Sequence, residues 1–121
     1  MKLYESAEDY LETILILQSK NGVVHAIDIA KEMNFSKPSV SIAMHKLEDN
    51  GYIGINKKGE IRLTESGAEI AKRIYDRHLT LTEILVKMGV PHDQAVIDAC
   101  KIEHDLSEES YQALKKHFGI N

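Results

Sequence analysis

The sequence predicts a mainly α-helical fold carrying one small β-hairpin, and three observations support that reading. Apolar residues recur at helical spacing over most of the 121 residues. Capping residues and glycines cut this pattern into separate helices, and one stretch near the middle places two short apolar runs around a polar turn. The composition is that of an ordinary globular chain, 43% hydrophobic and 28% charged with two prolines and no tryptophan. It is enough for one domain, or for two small helical units sharing a long element.

Ser6-Ala7-Glu8-Asp9 reads as a capping-box-like start of the first helix. Leu11, Ile14, Leu15, Ile16 and Leu17 follow, too many for a narrow stripe, so cover is expected on more than one side. Asn21-Gly22 ends this helix. Ala26 to Met33 forms a short second helix, and Asn34-Phe35 a tight connection. Ser36 caps a third helix with Pro38 in its first turn, where a missing N–H does no harm. Val40, Ala43, Met44 and Leu47 form its buried stripe, and Asn50-Gly51 stops it. Tyr52 to Ile55 and Ile61 to Thr64 flank Asn56-Lys57-Lys58-Gly59-Glu60 as the strands of a hairpin.

Helix, helix, helix, hairpin is the order of a winged helix-turn-helix. The remainder is helical: Glu65 to about Met88 with Gly89 as its stop, a helix opened by Pro91 and reaching Leu106, and a last one capped by Ser107-Glu108-Glu109 and ending near Gly119. The expected organisation is an N-terminal winged helix-turn-helix over residues 1–70 and an all-helical domain over residues 71–121.

The chain opens MKLYESAED, with neither the basic start nor the apolar run of a signal peptide, and no apolar run approaches bilayer length. One cysteine cannot form an internal disulfide, and a functional thiolate suits a reducing cytoplasm, which is the expected location. No membrane partner is expected. The net charge of −4 argues against nucleic acid, but its distribution does not. Residues 31–62 hold six basic and four acidic residues, whereas the flanks on both sides are acidic. The middle of the chain is the part expected to face phosphate.

In a helix-turn-helix the second helix of the pair enters the major groove. Its exposed positions here are Lys37, Pro38, Ser39, Ser41 and Ile42, with His45 and Lys46 a turn later. Serines hydrogen-bond bases or phosphates, and Ile42 has the chemistry to touch thymine methyls. Lys57 and Lys58 sit at the hairpin tip, where a wing approaches phosphate. Any one of these residues fits a plain solvated surface; their order along the pattern favours duplex DNA.

Cys100, Glu103 and His104 fall at i, i+3 and i+4 on one face of the helix expected to reach Leu106. Thiolate, carboxylate and imidazole together suit a divalent transition metal. Asp9 and Glu12 share a face of the first helix at i, i+3, and a buried acidic pair needs a counter-charge. Each has a plainer reading: Cys100 as a small core residue, Asp9 as the partner of Ser6, Glu12 as solvated, His78 as a surface or interface histidine.

The chain resembles the diphtheria-toxin-repressor family of metal-dependent transcriptional regulators, and most of all the short manganese-transport-regulator branch that lacks a C-terminal SH3-like domain. The resemblance rests on Ala7-Glu8-Asp9-Tyr10-Leu11-Glu12-Thr13-Ile14, Ser36-Lys37-Pro38-Ser39-Val40-Ser41, Leu63-Thr64-Glu65-Ser66-Gly67, Arg77-His78-Leu79 and the run Ala99 to Ser107. It implies Asp9 as a first-helix ligand, Glu12 and His78 as ligands of a second metal position, and Glu103 and His104 as ligands common to both branches. Cys100 stands where the manganese branch has a bridging glutamate and the iron branch a cysteine, so the ligand set is mixed. Thr82 and Val96 occupy two matched positions of the accessory site of the longer iron regulators, and Ile42 replaces a polar base-reading residue.

The function these readings imply is a metal-activated, DNA-binding transcriptional repressor controlling iron or manganese homeostasis. Its cofactor would be Fe(II) or Mn(II), and its partners a double-stranded DNA operator and a second copy in a homodimer. The C-terminal helices would pair, because their apolar positions exceed what one thin helical layer covers. The rival is a winged-helix regulator sensing a small organic ligand or redox state through Cys100, which leaves Asp9 and Glu12 unexplained. A metallohydrolase is disfavoured, since the chain has no His-Glu-x-x-His and no small organic substrate is expected.

Overall fold

Turns built on glycine and asparagine divide the chain into helices and one hairpin in a computed structural model that describes residues 5–120, with Glu5 described by its backbone alone. Residues 1–4, on which the expected lack of a signal peptide partly rests, and residue 121 lie outside the described residues. The chain divides into two compact units, residues 1–72 and 73–121. No described helix is long and apolar enough to cross a membrane.

The first unit holds α1 (Glu5–Asn21), α2 (Ala26–Met33), α3 (Lys37–Asp49), β1 (Ile53–Ile55), β2 (Ile61–Leu63) and the first turns of α4 (Glu65–Lys87). Helix α1 already includes Ser6, so the capping-box reading of Ser6 to Asp9 is overturned. A capping residue has a non-helical backbone, and that of Ser6 is helical. Leu11, Ile14 and Leu17 of α1 join Ile29 and Ala30 of α2, Val40, Met44 and Leu47 of α3, and Ile53 and Ile61 of the strands in one core.

Gly22 takes a positive φ of 79° and its N–H returns to Gln18, which closes α1. Asn34 adopts the left-handed conformation that ends α2 and turns the chain into α3. Ser36 caps α3, its Oγ accepting from the Ser39 N–H at 3.3 Å. The strands pair antiparallel with Gly54 opposite Arg62, and the Val24 carbonyl accepts from the Ile61 N–H at 2.7 Å. That extra bridge was not expected from the pattern, because one isolated pair leaves no alternation to read.

The Leu63-Thr64-Glu65-Ser66-Gly67 run has a physical explanation. Thr64 Oγ1 donates to the Gly51 carbonyl at 2.7 Å and accepts from the Gly67 N–H at 3.2 Å, so one hydroxyl joins the end of α3 to the start of α4. A Cβ at Gly67 would lie 1.9 Å from the Tyr52 carbonyl oxygen. Only glycine allows that approach.

The second unit holds the rest of α4, α5 (His92–Ile102) and α6 (Glu108–His117). Gly89, at φ 102°, ends α4, and Ser107 caps α6 by accepting from the Ser110 N–H at 3.1 Å. Ile74, Leu81, Ile84, Ala95, Ala99 and Tyr111 are buried. Pro91 opens α5 as its N-cap, as expected, but the helix stops at Ile102 instead of reaching Leu106. Beyond it, Arg77 Nη1 of α4 donates to the carbonyls of both Glu103 and Leu106, which holds the turn between α5 and α6.

Gly67→Ala should destabilise the first unit by about 1–3 kcal/mol, the usual cost of forcing atoms into a filled site. Thermal unfolding of parent and variant, followed by circular dichroism, checks this; an unchanged midpoint would contradict the close approach to Tyr52.

Candidate functional site

Helix α5 ends at Ile102, but Glu103 keeps a helical backbone with its N–H on the Ala99 carbonyl, so Cys100 and Glu103 stay on one face as expected while His104 falls in the turn beyond. Cys100 remains in the last turn of α5, Glu103 is its C-cap residue, and His104 lies in the following turn. Their environments differ accordingly: Cys100 is exposed, and the side chains of Glu103 and His104 are 0% and 2% exposed. Helical spacing brings Cys100 beside Glu103 but does not supply the rest of the group.

Helix α4 supplies what the spacing does not. His78 Nδ1 lies 3.0 Å from Glu103 Oε2, while His104 Nε2 lies 3.4 Å from the other oxygen, Oε1. The potential ligand atoms of His78, Cys100 and Glu103 all fall within 4.8 Å of one another. Glu103 Oε1 is buried and accepts no hydrogen bond among the described residues. A buried carboxylate oxygen without a hydrogen bond is costly unless a charge faces it. Carboxylate, two imidazoles and an accessible thiol form a donor set that fits a divalent transition metal. The exposure of Cys100 also removes its plainer reading as core filler.

Around this group stands a second layer. Arg77, 3% exposed, donates from Nη2 to Glu108 Oε2 at 2.8 Å. Its guanidinium carbon lies 4.9 Å from the centre of the Tyr111 ring. Hydrogen bonds from Gln112 and Arg77 hold the Glu108 carboxyl below its ordinary range. Tyr111 donates to Asp76 at 2.6 Å, its oxygen lies 3.2 Å from the Thr80 hydroxyl, and burial followed by the Asp76 contact pushes its own hydroxyl up to about 12. It therefore stays a neutral donor at ordinary pH. The Arg77-His78-Leu79 motif by itself gives no sign of this role for Arg77. Its partners lie 26 to 31 residues away, and no local pattern signals them.

On α1, Glu12 is buried and Asp9 is partly buried, three residues apart on one helix. Glu8, unremarked in the sequence reading, is also buried.

The expected DNA face is fully displayed within the first unit. Lys37, Pro38, Ser39, Ser41, Ile42, His45 and Lys46 are all exposed along α3, with Ile42 at 59%. Ser36 Oγ donates to Ser39 Oγ at 2.8 Å, which leaves the Ser39 hydroxyl hydrogen pointing elsewhere. His45 Nδ1 lies 2.7 Å from the Ser41 carbonyl, which fixes the ring against the helix. At the hairpin tip, Asn56 Oδ1 accepts from the N–H groups of Lys58 and Glu60, both at 2.9 Å. That side-chain turn holds the loop, and Lys57 and Lys58 extend from it into solvent. Glu48, missed from sequence, accepts from the Ile55 N–H at 3.2 Å and ties α3 to β1.

A winged helix-turn-helix followed by a helical unit with a cluster of metal-type donors defines a class: metal-dependent, DNA-binding transcriptional repressors, which are not enzymes. Residues 2–61 match the iron-dependent repressor N-terminal DNA-binding domain, and residues 64–119 match the metal-binding and dimerisation domain of the same repressors. The chain belongs to the iron-dependent repressor family, the diphtheria-toxin-repressor family of the sequence resemblance.

It is 38% identical over 113 residues to an uncharacterised helix-turn-helix-type transcriptional regulator of Methanocaldococcus jannaschii, covering 92% of this chain and 90% of that one. It is 33% identical over 105 residues to the transcriptional regulator MntR of Lysinibacillus sphaericus, covering 87% and 76% of the two chains. Among solved structures, a manganese-dependent transcriptional repressor in complex with manganese superposes with a TM-score of 0.87 at 26% identity over 95% of this chain. This chain spans 53% of that solved one.

Proposed function

We propose that this protein is a homodimeric repressor whose hold on a double-stranded operator is switched on by Mn(II) or Fe(II), so that it controls manganese or iron homeostasis. The observation that carries this reading is the convergence of His78, Cys100 and His104 on the buried Glu103 carboxylate, in the region that matches a metal-binding domain. Residues 1–70 would read DNA, and residues 71–121 would bind metal and pair two chains. Exposed Leu79, Val86, Met88, Ile97 and Ile102 support pairing, since so much apolar surface on a small helical unit is expected to be covered.

His78, Cys100, Glu103 and His104 would hold the metal, and the family resemblance adds Asp9 and Glu12 from the first helix. A bound cation supplies the positive charge that lets acidic side chains from different helices share one site. Holding ligands from both parts of the chain would limit the freedom of the DNA-reading part and favour one spacing of the two recognition helices. Linkage then requires metal to bind more tightly when operator is present.

Ser39, Ser41 and Ile42 would meet base edges, with Ile42 favouring thymine methyls, while Lys37, Lys46, Lys57 and Lys58 would face phosphate. Pro38 sets the start of the helix, and His45 lies on the same exposed face.

His104→Ala should weaken Mn(II) binding by more than about 100-fold, beyond the usual cost of losing a supporting residue. The variant should keep its helical content and dimer. Operator binding titrated with Mn(II) tests this, and unchanged activation would sink the proposed site.

Replacing Ser39 and Ser41 with alanine should change sequence preference in binding-site selection. Lys46→Ala should instead weaken all sequences alike and lower the slope of affinity against salt by about one. Affinities and footprints identical to the parent would refute α3 as the reading helix.

Cys100→Glu should shift activation from Fe(II) towards Mn(II), because a carboxylate is the harder ligand; Asp9→Met should shift it the other way. Anaerobic titrations of operator binding with each metal give the ratio, and a ratio unmoved by either change would deny both residues a part in selectivity.

A further inference from the structure

We propose that Arg77 is the positioning residue of the metal centre, its guanidinium holding the 103–106 turn in the shape that aims Glu103 and His104 at a single cation. The inference deepens the metal reading above and rests on it. The turn has little of its own to hold it. Beyond the last helical contact, Glu103 N–H to the Ala99 carbonyl, its internal backbone support is the Asp105 N–H donating to Ile102 at 3.2 Å. The carbonyls of Glu103 and Leu106, at the two ends of the turn, instead converge on one nitrogen, Arg77 Nη1.

Nη2 reaches Glu108 at the first residue of α6, so one planar cation spans the whole connection between α5 and α6. Arg77 is itself held, by the Tyr111 ring against its face and by the Glu108 carboxylate at its edge. Helix α4 therefore grips Glu103 at both ends: Arg77 binds its backbone carbonyl, and the next residue, His78, meets its carboxylate. A rotation of the turn would swing Glu103 and His104 together, because they are consecutive. A supporting contact of this kind, lying behind the ligands, ordinarily carries about 10–100-fold in metal affinity.

Lysine is the discriminating substitution. It keeps the charge and most of the stem, yet one ammonium does not fork in a plane to two carbonyls and a carboxylate. In the full-length protein, checked for folding by circular dichroism, Arg77→Lys should lower Mn(II) affinity at least about tenfold by calorimetric titration. It should also change the absorption bands of saturating Co(II), which report ligand geometry. Glu108→Gln provides a second variant if Arg77→Lys does not fold. The Glu108 side chain is 61% exposed, so the fold should survive, and Mn(II) affinity should fall severalfold as the guanidinium loses its anchor.

His104→Ala separates the two ideas. If it loses Mn(II) while both of the other variants bind Mn(II) and Co(II) as the parent does, Arg77 is only a stabilising residue and the positioning role is overturned. If His104→Ala binds Mn(II) as the parent does, the metal reading falls and this proposal with it.

Discussion

A carboxylate removed from water must be met by other charges or by hydrogen bonds, and Glu103 imposes that requirement on the second unit. One imidazole faces each of its oxygens, while its carbonyl is taken by Arg77. Most of the unit's polar structure follows from this residue. Past the end of α5 at Ile102, the carbonyls of Glu103 and Leu106 are bonded from α4. The guanidinium that claims them needs its own partners, which Glu108 and Tyr111 supply. Tyr111 in turn needs Asp76 and Thr80, one turn of α4 apart. Buried polar groups in such a chain rigidify a turn that apolar packing alone would leave loose.

The first unit solves a different problem, displaying a helix and a hairpin tip on a small apolar core. Short-range devices suffice there. Asn34 turns α2 into α3, Ser36 caps α3, and Asn56 holds the loop that carries Lys57 and Lys58. Thr64 and Glu48 join these pieces by single hydrogen bonds, so the exposed face of α3 and the wing keep a common frame. With a net charge of −4, the chain gains little from general attraction to phosphate. That suits a protein whose grip on DNA is proposed to depend on a second signal.

The two halves differ in how much of them could be read in advance. Ala26 to Met33 and the Ser36 cap stand where caps, proline and apolar periodicity put them, because each is decided by residues within one or two turns. The expected start of α1 at Ser6 does not hold, since Ser6 followed by acidic residues matches a capping box equally well from inside a helix. The expected reach of α5 to Leu106 is too long, since its periodicity continues past Ile102 and nothing nearby reveals the turn that Arg77 holds. The candidate donors His78, Cys100, Glu103 and His104 were legible as residue types. Helical spacing explains why Cys100 stands beside Glu103, but His78 joins them through a contact across 25 residues that no local pattern shows.

What the sequence determined by itself was whatever depends on local backbone chemistry: the order of helices and hairpin, the exposed face of α3, and the supply of thiol, carboxylate and imidazole. The tertiary structure alone decided that Glu103 is buried, that His78 meets it, and that Arg77 shapes the turn between them. The physical reason is that burial and long-range pairing depend on which helices pack together, and a side chain's polarity does not say which distant group will satisfy it.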